Sequence, residues 1–383
     1  MYGRKQISEI NQAHDDPSRS VMVWDLPLRL FHWSMVCVVT IAFITGYLAP
    51  DSWQNIHVIA GYALGCLLAF RIVWGFFGSY YSRFNTFPLS IRAIGEHLLS
   101  ILRMSPIAHI GHNPVGAWVI IILLTLLTLL VLTGLVVLGG EEDLGPLASI
   151  INFKVGDFTE DIHEALSGIL LGVISIHLLG VFVEVKIFRH PVLKAMISGR
   201  KPVAKDGEEQ GHSYILRGSV LFLMVVGMVV FAGMKLNALP SQGARNIVAL
   251  PEYKTECGDC HVPYHPSLLM AGGWRSIMRT LPDHYGEDAS LENDMRVLIE
   301  NFLTTNDALN FDTKVSHKIG RIETASNRMT DTKYWKKKHR KIEDIAFRHP
   351  SVGSKVNCNG CHKDAATGRF NDSNIHVPDG ERK

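Results

Sequence analysis

Four of the six cysteines fall in two short runs, CGDCH at 257–261 and CNGCH at 358–362. In each run two thiols are separated by two residues, and a histidine follows the second directly. C-x-x-C-H is the spacing of c-type haem attachment. Cys257 and Cys260, or Cys358 and Cys361, would add to the haem vinyl groups, and His261 or His362 would become the proximal iron ligand. Half of a zinc site can share this spacing. Two copies that use every cysteine after residue 236 favour haem. A disulfide across so small a gap is geometrically tight.

A second group of candidates lies in apolar sequence. Five stretches, 31–48, 56–77, 115–138, 162–185 and 218–234, are long and apolar enough to cross a bilayer, which takes about 20 residues of helix. Four histidines sit in these spans or at their ends: His32, His57, His163 and His177. An ionisable group there is costly and calls for a role. His177 follows His163 by 14 residues, which is about 21 Å of helix with the two rings roughly 40° apart around the axis. One face of the fourth span thus offers an imidazole at two depths. His57 matches the outer depth and His32 the inner one. Two bis-histidine haems stacked across the bilayer, His57 with His163 and His32 with His177, would need this arrangement. Interhelical hydrogen bonding is the simpler alternative for a single membrane histidine. Gly46, Gly61, Gly65, Gly168 and Gly172 would leave room for a flat macrocycle or simply allow close helix packing. Arg29 and Arg71 are candidates to pair haem propionates, or to snorkel to the interface. His109 and His112 fit a solvated interfacial role better than a quinone pocket, and Cys37 and Cys66 fit packing.

Those residues must be held by a chain of 383 residues with 38 basic and 36 acidic side chains. A net charge of +2 leaves no nucleic-acid footprint. Apolar residues make up 47%, but the long apolar runs end near residue 236, which excludes both a single-core soluble globule and a disordered chain. The first span follows about thirty mostly polar residues and lacks a cleavage site, so it is not expected to be a signal peptide. Lys and Arg alternate across the spans. Arg4, Lys5, Arg19 and Arg29 precede the first; Arg83, Arg92 and Arg103 follow the second; Lys186, Arg189, Lys194, Arg200, Lys201, Lys205 and Arg217 follow the fourth. The loop between the third and fourth spans has Lys154 among Glu141, Glu142, Asp143, Asp157, Glu160 and Asp161. The positive-inside rule then puts the amino terminus in the cytoplasm and residues 237–383 outside it. Helical periodicity in that tail is expected at 274–281, 290–303 and 334–340. The basic run Lys336, Lys337, Lys338, Arg340 and Lys341 reads as a solvated face that could also steer an acidic redox partner.

The segments VWDLPLRLFHW, NIHVIAGYALGCLLAFRIVWGFFG, HNPVGAW and DIHEALSGILLGVISIHLLGV resemble the bacterial cytochrome b561 family, which includes the cytochrome b subunits of nickel–iron hydrogenases. The likeness covers about residues 20–200. It implies a four-helix haem b core exchanging electrons with membrane quinones, with His32, His57, His163 and His177 at the positions of the axial histidines. CGDCHVPYHPSLLMAGGWRSIMRTLPDHYGEDASL and WKKKHRKI followed by VGSKVNCNGCHKDAATGRF resemble the dihaem cytochrome c family. That resemblance implies bis-histidine ligation, with His284 as sixth ligand of the first haem c and His339 of the second; His349 is the main rival for the second. Haem c is attached outside the cytoplasm in bacteria, in accord with the charge bias.

The expected fold is an all-α membrane protein: a four-helix transmembrane haem b bundle, a fifth transmembrane helix, and a small, mostly helical periplasmic dihaem c domain. The expected divisions are 1–22 (cytoplasmic segment), 23–200 (b561-like domain), 201–236 (linker and fifth span) and 237–383 (dihaem c domain). The expected function is electron transfer between the quinone pool and a soluble periplasmic cytochrome c-type partner, through two haems b and two haems c in the bacterial inner membrane, with quinol:cytochrome c oxidoreductase-type activity. A homodimer is left open. The alternatives are a superoxide oxidase that reduces quinone, which the acidic outer loops disfavour, and a haem-holding sensory or assembly module without turnover.

Overall fold

The computed structural model describes residues 20–105, 109–202, 214–241, 243 and 247–378. Arg4, Lys5, Arg19 and Lys205, used above for orientation, lie outside the described residues.

A short strand β1 (Ser20–Met22) leads into helix α1 (Leu26–Tyr47). Asp25 starts that helix: its Oδ1 accepts the Leu28 backbone N–H at 2.9 Å, and Pro27 occupies the first turn, where its missing N–H costs nothing. Helix α2 (Gln54–Phe77) follows after one 3-10 turn. Helix α3 (Ile91–Leu102) is shorter and exposes Ile91, Leu98, Leu99 and Leu102, the pattern of a helix that lies in an interface rather than crossing it. Helix α4 (Pro114–Gly140) starts at Asn113, whose side chain accepts the Gly116 N–H at 2.6 Å. Helix α5 (Phe153–Phe182) is capped in the same way by Asn152, which accepts the Val155 N–H at 3.0 Å. Helix α6 (Val192–Ser198), strand β2 (Arg200–Pro202) and helix α7 (Ile215–Asn237) complete this half. β1 and β2 pair antiparallel, Val21 opposite Lys201. Between α6 and β2, Gly199 holds φ +84° against the Trp24 carbonyl, where a Cβ would sit 2.6 Å from that oxygen; only glycine fits there.

Helices α1, α2, α4, α5 and α7 are long and apolar enough to cross a membrane. Three of the five expected spans fall within one of them, and 31–48 and 162–185 run one and three residues past the ends of α1 and α5, the latter into a π turn at Val183–Ile187. Hydroxyls inside the apolar helices are satisfied locally: Thr125, Thr128 and Thr133 donate to carbonyls one turn back at 2.7–2.9 Å. Leu64 and Leu68 of α2, Leu127 and Leu130 of α4 and Leu170 of α5 form one buried cluster, with Met35, Val38 and Val39 of α1 packed against it. This is the expected four-helix bundle. Helix α7 packs beside α1 and α2, with Phe222 edge-on to Phe70 and Gly218 against Pro27 and Trp74.

The C-terminal part contains α8 (Pro251–Glu256), α9 (Ala271–Arg279), α10 (Asn293–Thr305), α11 (Lys333–His339) and α12 (Asp344–Phe347), joined by turns. Its main core gathers Tyr253, Leu269, Trp274, Met278, Leu281, Ile299 and Leu303. The three helices expected here are present. The middle one begins at 293 rather than 290, because Asp288 accepts the Ser290 N–H at 2.9 Å and holds that stretch in a turn.

The chain divides into two compact units. One comprises residues 1–47, 56–133 and 162–232; the other comprises 48–55, 134–161 and 233–383. The second unit therefore includes the end of α4, the start of α5 and the loop between them.

Candidate metal centres

Three of the four expected histidine pairs come together as facing rings. His57 of α2 and His163 of α5 have ring centroids 6.3 Å apart. His261 and His284 are 6.2 Å apart, and His339 and His362 are 6.1 Å apart. A metal–imidazole bond is about 2 Å long, so two rings on opposite sides of one iron have centroids roughly 6 Å apart. Each gap is therefore the width of one axially ligated metal. For the fourth pair, His32 and His177 are near enough to interact electrostatically. Nδ1 of His32 is buried and has no hydrogen-bond partner among the described residues.

Four of these eight rings are oriented through Nδ1, which leaves Nε2 for a metal. His57 Nδ1 lies 3.0 Å from the Ala42 carbonyl and 3.2 Å from Thr45 Oγ1. His163 Nδ1 lies 2.9 Å from Thr133 Oγ1. His261 donates to its neighbour Val262 at 2.9 Å, and His339 to the Trp335 carbonyl one turn back at 2.9 Å. Trp335 also stacks on His339 at 4.3 Å. Burial holds His284, His339 and His362 below the usual imidazole range, which keeps them neutral and able to donate a lone pair. The four motif cysteines form no disulfide. Cys358 opens a single 3-10 turn whose carbonyl accepts the His362 N–H at 2.8 Å, so both thiols and the histidine lie on one tight turn. The two motifs are joined by Tyr264, which stacks on His261 at 5.0 Å and donates its hydroxyl to the Val356 carbonyl at 2.8 Å.

The surroundings have room for a flat group. A Cβ added at Gly61, Gly168 or Gly172 would meet nothing within 4 Å. One at Gly46 would press on His57 at 3.2 Å and disturb the ring. Gly65 packs against Val131. The residues present thus fit haem: paired imidazoles at one-metal spacing, open space beside two of the spans, and free thiols next to two of the histidines.

The arginines differ. Arg71 is buried, donates to the Ser82 carbonyl at 3.1 Å and lies over the Phe84 ring. Asp25 beside it also accepts the Trp74 indole N–H at 3.0 Å. Arg29 donates Nη1 to the Ile197 carbonyl, and its Nε has no partner among the described residues. His349 accepts from the hydroxyl and N–H of Ser351 in its own turn. His112 is wedged between Trp24 and Phe87, both at 4.5 Å, rather than in solvent. Thr45 and Thr133, which steer the outer pair, were not singled out in the sequence; a threonine in an apolar span is the only signal they give.

His265 is buried and belongs to neither pair. Its Nδ1 accepts the Ser267 hydroxyl at 2.8 Å and the Ser267 N–H at 3.3 Å. Burial pushes its pKa down to about 4, against about 6.5 in an unfolded chain. Between those values the unfolded chain binds more protons. The stability His265 contributes is therefore complete above about pH 6.5 and is lost as the pH falls toward 4, roughly 3 kcal/mol in all. Acid denaturation followed by circular dichroism should show this slope, and His265→Gln should flatten it. An unchanged acid profile in that variant would refute the assignment.

Comparison with known proteins agrees with the two-part reading. Residues 23–199 match the family model described as prokaryotic cytochrome b561, and residues 253–370 match dihaem cytochrome c. A probable Ni/Fe-hydrogenase B-type cytochrome subunit of Rhizobium leguminosarum bv. viciae is 25% identical over 222 residues, 50% of this chain and 92% of that protein. The corresponding Azotobacter vinelandii protein is 28% identical over 120 residues, 25% of this chain; the chain spans 50% of that relative's length. A diheme cytochrome c from Rhodobacter sphaeroides is 33% identical, covering 33% of this chain and all of that one, with a TM-score of 0.29. A diheme cytochrome from Shewanella baltica OS155 is 30% identical, covering 33% of this chain and 91% of that one, with a TM-score of 0.27.

Proposed function

We propose, from the match of residues 23–199 to prokaryotic cytochrome b561 and of residues 253–370 to dihaem cytochrome c, that the chain is a four-haem relay moving electrons from membrane quinol to a soluble haem protein in the periplasm. The observation that carries this reading is the common ring spacing of the three facing pairs, 6.3, 6.2 and 6.1 Å.

Two haems b occupy His32/His177 on the cytoplasmic side and His57/His163 on the outer side of a bacterial inner membrane. Two haems c are held by Cys257, Cys260, His261 and His284, and by Cys358, Cys361, His362 and His339. When bound, haem supplies reversible one-electron transfer. The chain's own residues orient the imidazoles, through Ala42, Thr45, Thr133 and Trp335, and set the dielectric around them. Arg29 has a free Nε to offer a propionate; Arg71 is mainly engaged within the protein. Residues 23–200 form the b domain, 201–236 the linker and fifth span, and 237–383 the c domain. Helix α7 keeps the c domain at the membrane at high effective concentration.

The test is an anaerobic pulse of a short-chain quinol into the purified holoprotein, followed at the b and c absorption bands. The b bands should be reduced first and the c bands after them. If neither band responds to quinol, nor to quinone after prereduction, the relay is wrong.

A further inference from the structure

We infer that the dihaem lobe is clamped in one pose on the outer ends of α4 and α5 by a buried ion cluster centred on Lys314, and that Lys314 is a positioning residue for electron passage from the b to the c haems. This rests on the relay proposed above.

Four carboxylates of segment 134–161 meet three cations of the C-terminal lobe, all inside one compact unit. Lys314 is buried, with its side chain only 8% exposed. Its Nζ pairs with Glu142, lies 3.5 Å from Asp372 and lies 3.8 Å from Glu141. Glu142 is buried as well, and its second oxygen accepts the Asp372 N–H at 3.0 Å. Asp143 accepts the Gly243 N–H at 3.0 Å and faces Arg369 at 3.6 Å. Asp157 pairs with Lys318 at 2.5 Å. Beside them Phe153 donates its N–H to Asp312 at 2.9 Å and stacks on His317 at 4.5 Å. Burial alone would lower the Lys314 pKa, but Glu142, Asp372 and Glu141 raise it well above the ordinary value, so Lys314 is held charged; burial raises the Glu141 carboxyl to about 7, with Lys314 opposing the rise.

A lobe attached by its helix alone would need only exposed, salt-screened contacts with the membrane part. Here Lys314, Glu141, Glu142 and Asp143 are desolvated, while Lys318, Asp157 and Arg369 are about a third exposed; Lys314 and Glu142 lie 172 residues apart in sequence and Lys318 and Asp157 lie 161 apart. Removing one member leaves buried charge uncompensated, so such a cluster holds one arrangement and penalises others. Glu141, Glu142, Asp143 and Asp157 of the acidic loop are thus met by lobe cations instead of standing free.

The test uses the full-length holoprotein and the same quinol pulse. Lys314→Met should keep its covalent haem and reduce its b bands at the wild-type rate. Its c bands should be reduced about tenfold more slowly, with a rate that now depends on salt, because docking relies on screened encounters. Lys314→Arg should restore most of the rate. Wild-type c-band kinetics in Lys314→Met at low and high salt, with its haem intact, would overturn the clamp. A second readout is independent of the relay. A zero-length carbodiimide should join Lys318 to Asp157 in the wild type and fail to do so in Lys314→Met; absence of that linked peptide in the wild type would also overturn the clamp. Wild-type protein in which quinol reduces neither band would refute the relay while the cross-link still decides the pose.

Discussion

His163→Ala is expected to leave quinol reduction of the His32/His177 haem intact and to slow reduction of the c haems by about two orders of magnitude or more. Losing even an outer partner of a metal-bound histidine costs roughly 10–100-fold in metal affinity, and an axial ligand matters more. The facing ring of His57 is 6.3 Å away and would be left with one side of its metal open. The same site permits a graded comparison. Thr133→Val removes the group 2.9 Å from His163 Nδ1 but keeps the imidazole, and should lower haem affinity by only about tenfold. Haem b content per chain and stopped-flow kinetics at the c bands check both. Unaltered c-band kinetics in His163→Ala would show that electrons do not pass through this pair.

The second large effect is on folding. Replacing Cys358 and Cys361 together by alanine should remove one covalent haem and open the segment from residue 340 to 368, which lies outside the Lys314 cluster, leaving the first motif attached. Few apolar residues are buried there: Ala346, Val352 and Ala365 are small or medium, and most of the rest is turn. Such a segment gains its order from the bound group, as small metal-dependent domains do. The core of α9 and α10, with Ile299 and Leu303 almost fully enclosed, should persist. Haem-stained gels should show half the stain per chain, and limited proteolysis should cut within 340–368. Full protease resistance would contradict this account.

The spans, the two C-x-x-C-H turns and the four membrane histidines were legible in the sequence because each is written locally, in a run of apolar residues or a fixed short spacing. The pairing of His57 with His163 was legible because helix rise converts a 14-residue interval into depth. What was not legible depends on residues far apart in the chain. The acidic loop 141–143 read as a free face that would repel an anion; its partners Lys314 and Arg369 lie in the remote lobe. His112 read as solvated, and Trp24 and Phe87 enclose it from two other segments. Asp25 gave no sign that it would cap α1 and also accept from Trp74 of α2. Nothing in the periodicity marks Thr45 or Thr133, because a single hydroxyl barely alters the hydropathy of a span.

The claim that all else depends on is the count of iron porphyrins and how each is held. A pyridine haemochrome assay on purified protein, with acid–acetone extraction to separate loosely held from thioether-linked haem, measures both at once. The account predicts two extractable haems b and two covalent haems c per chain. Any other ratio, and above all the absence of extractable haem, would contradict it.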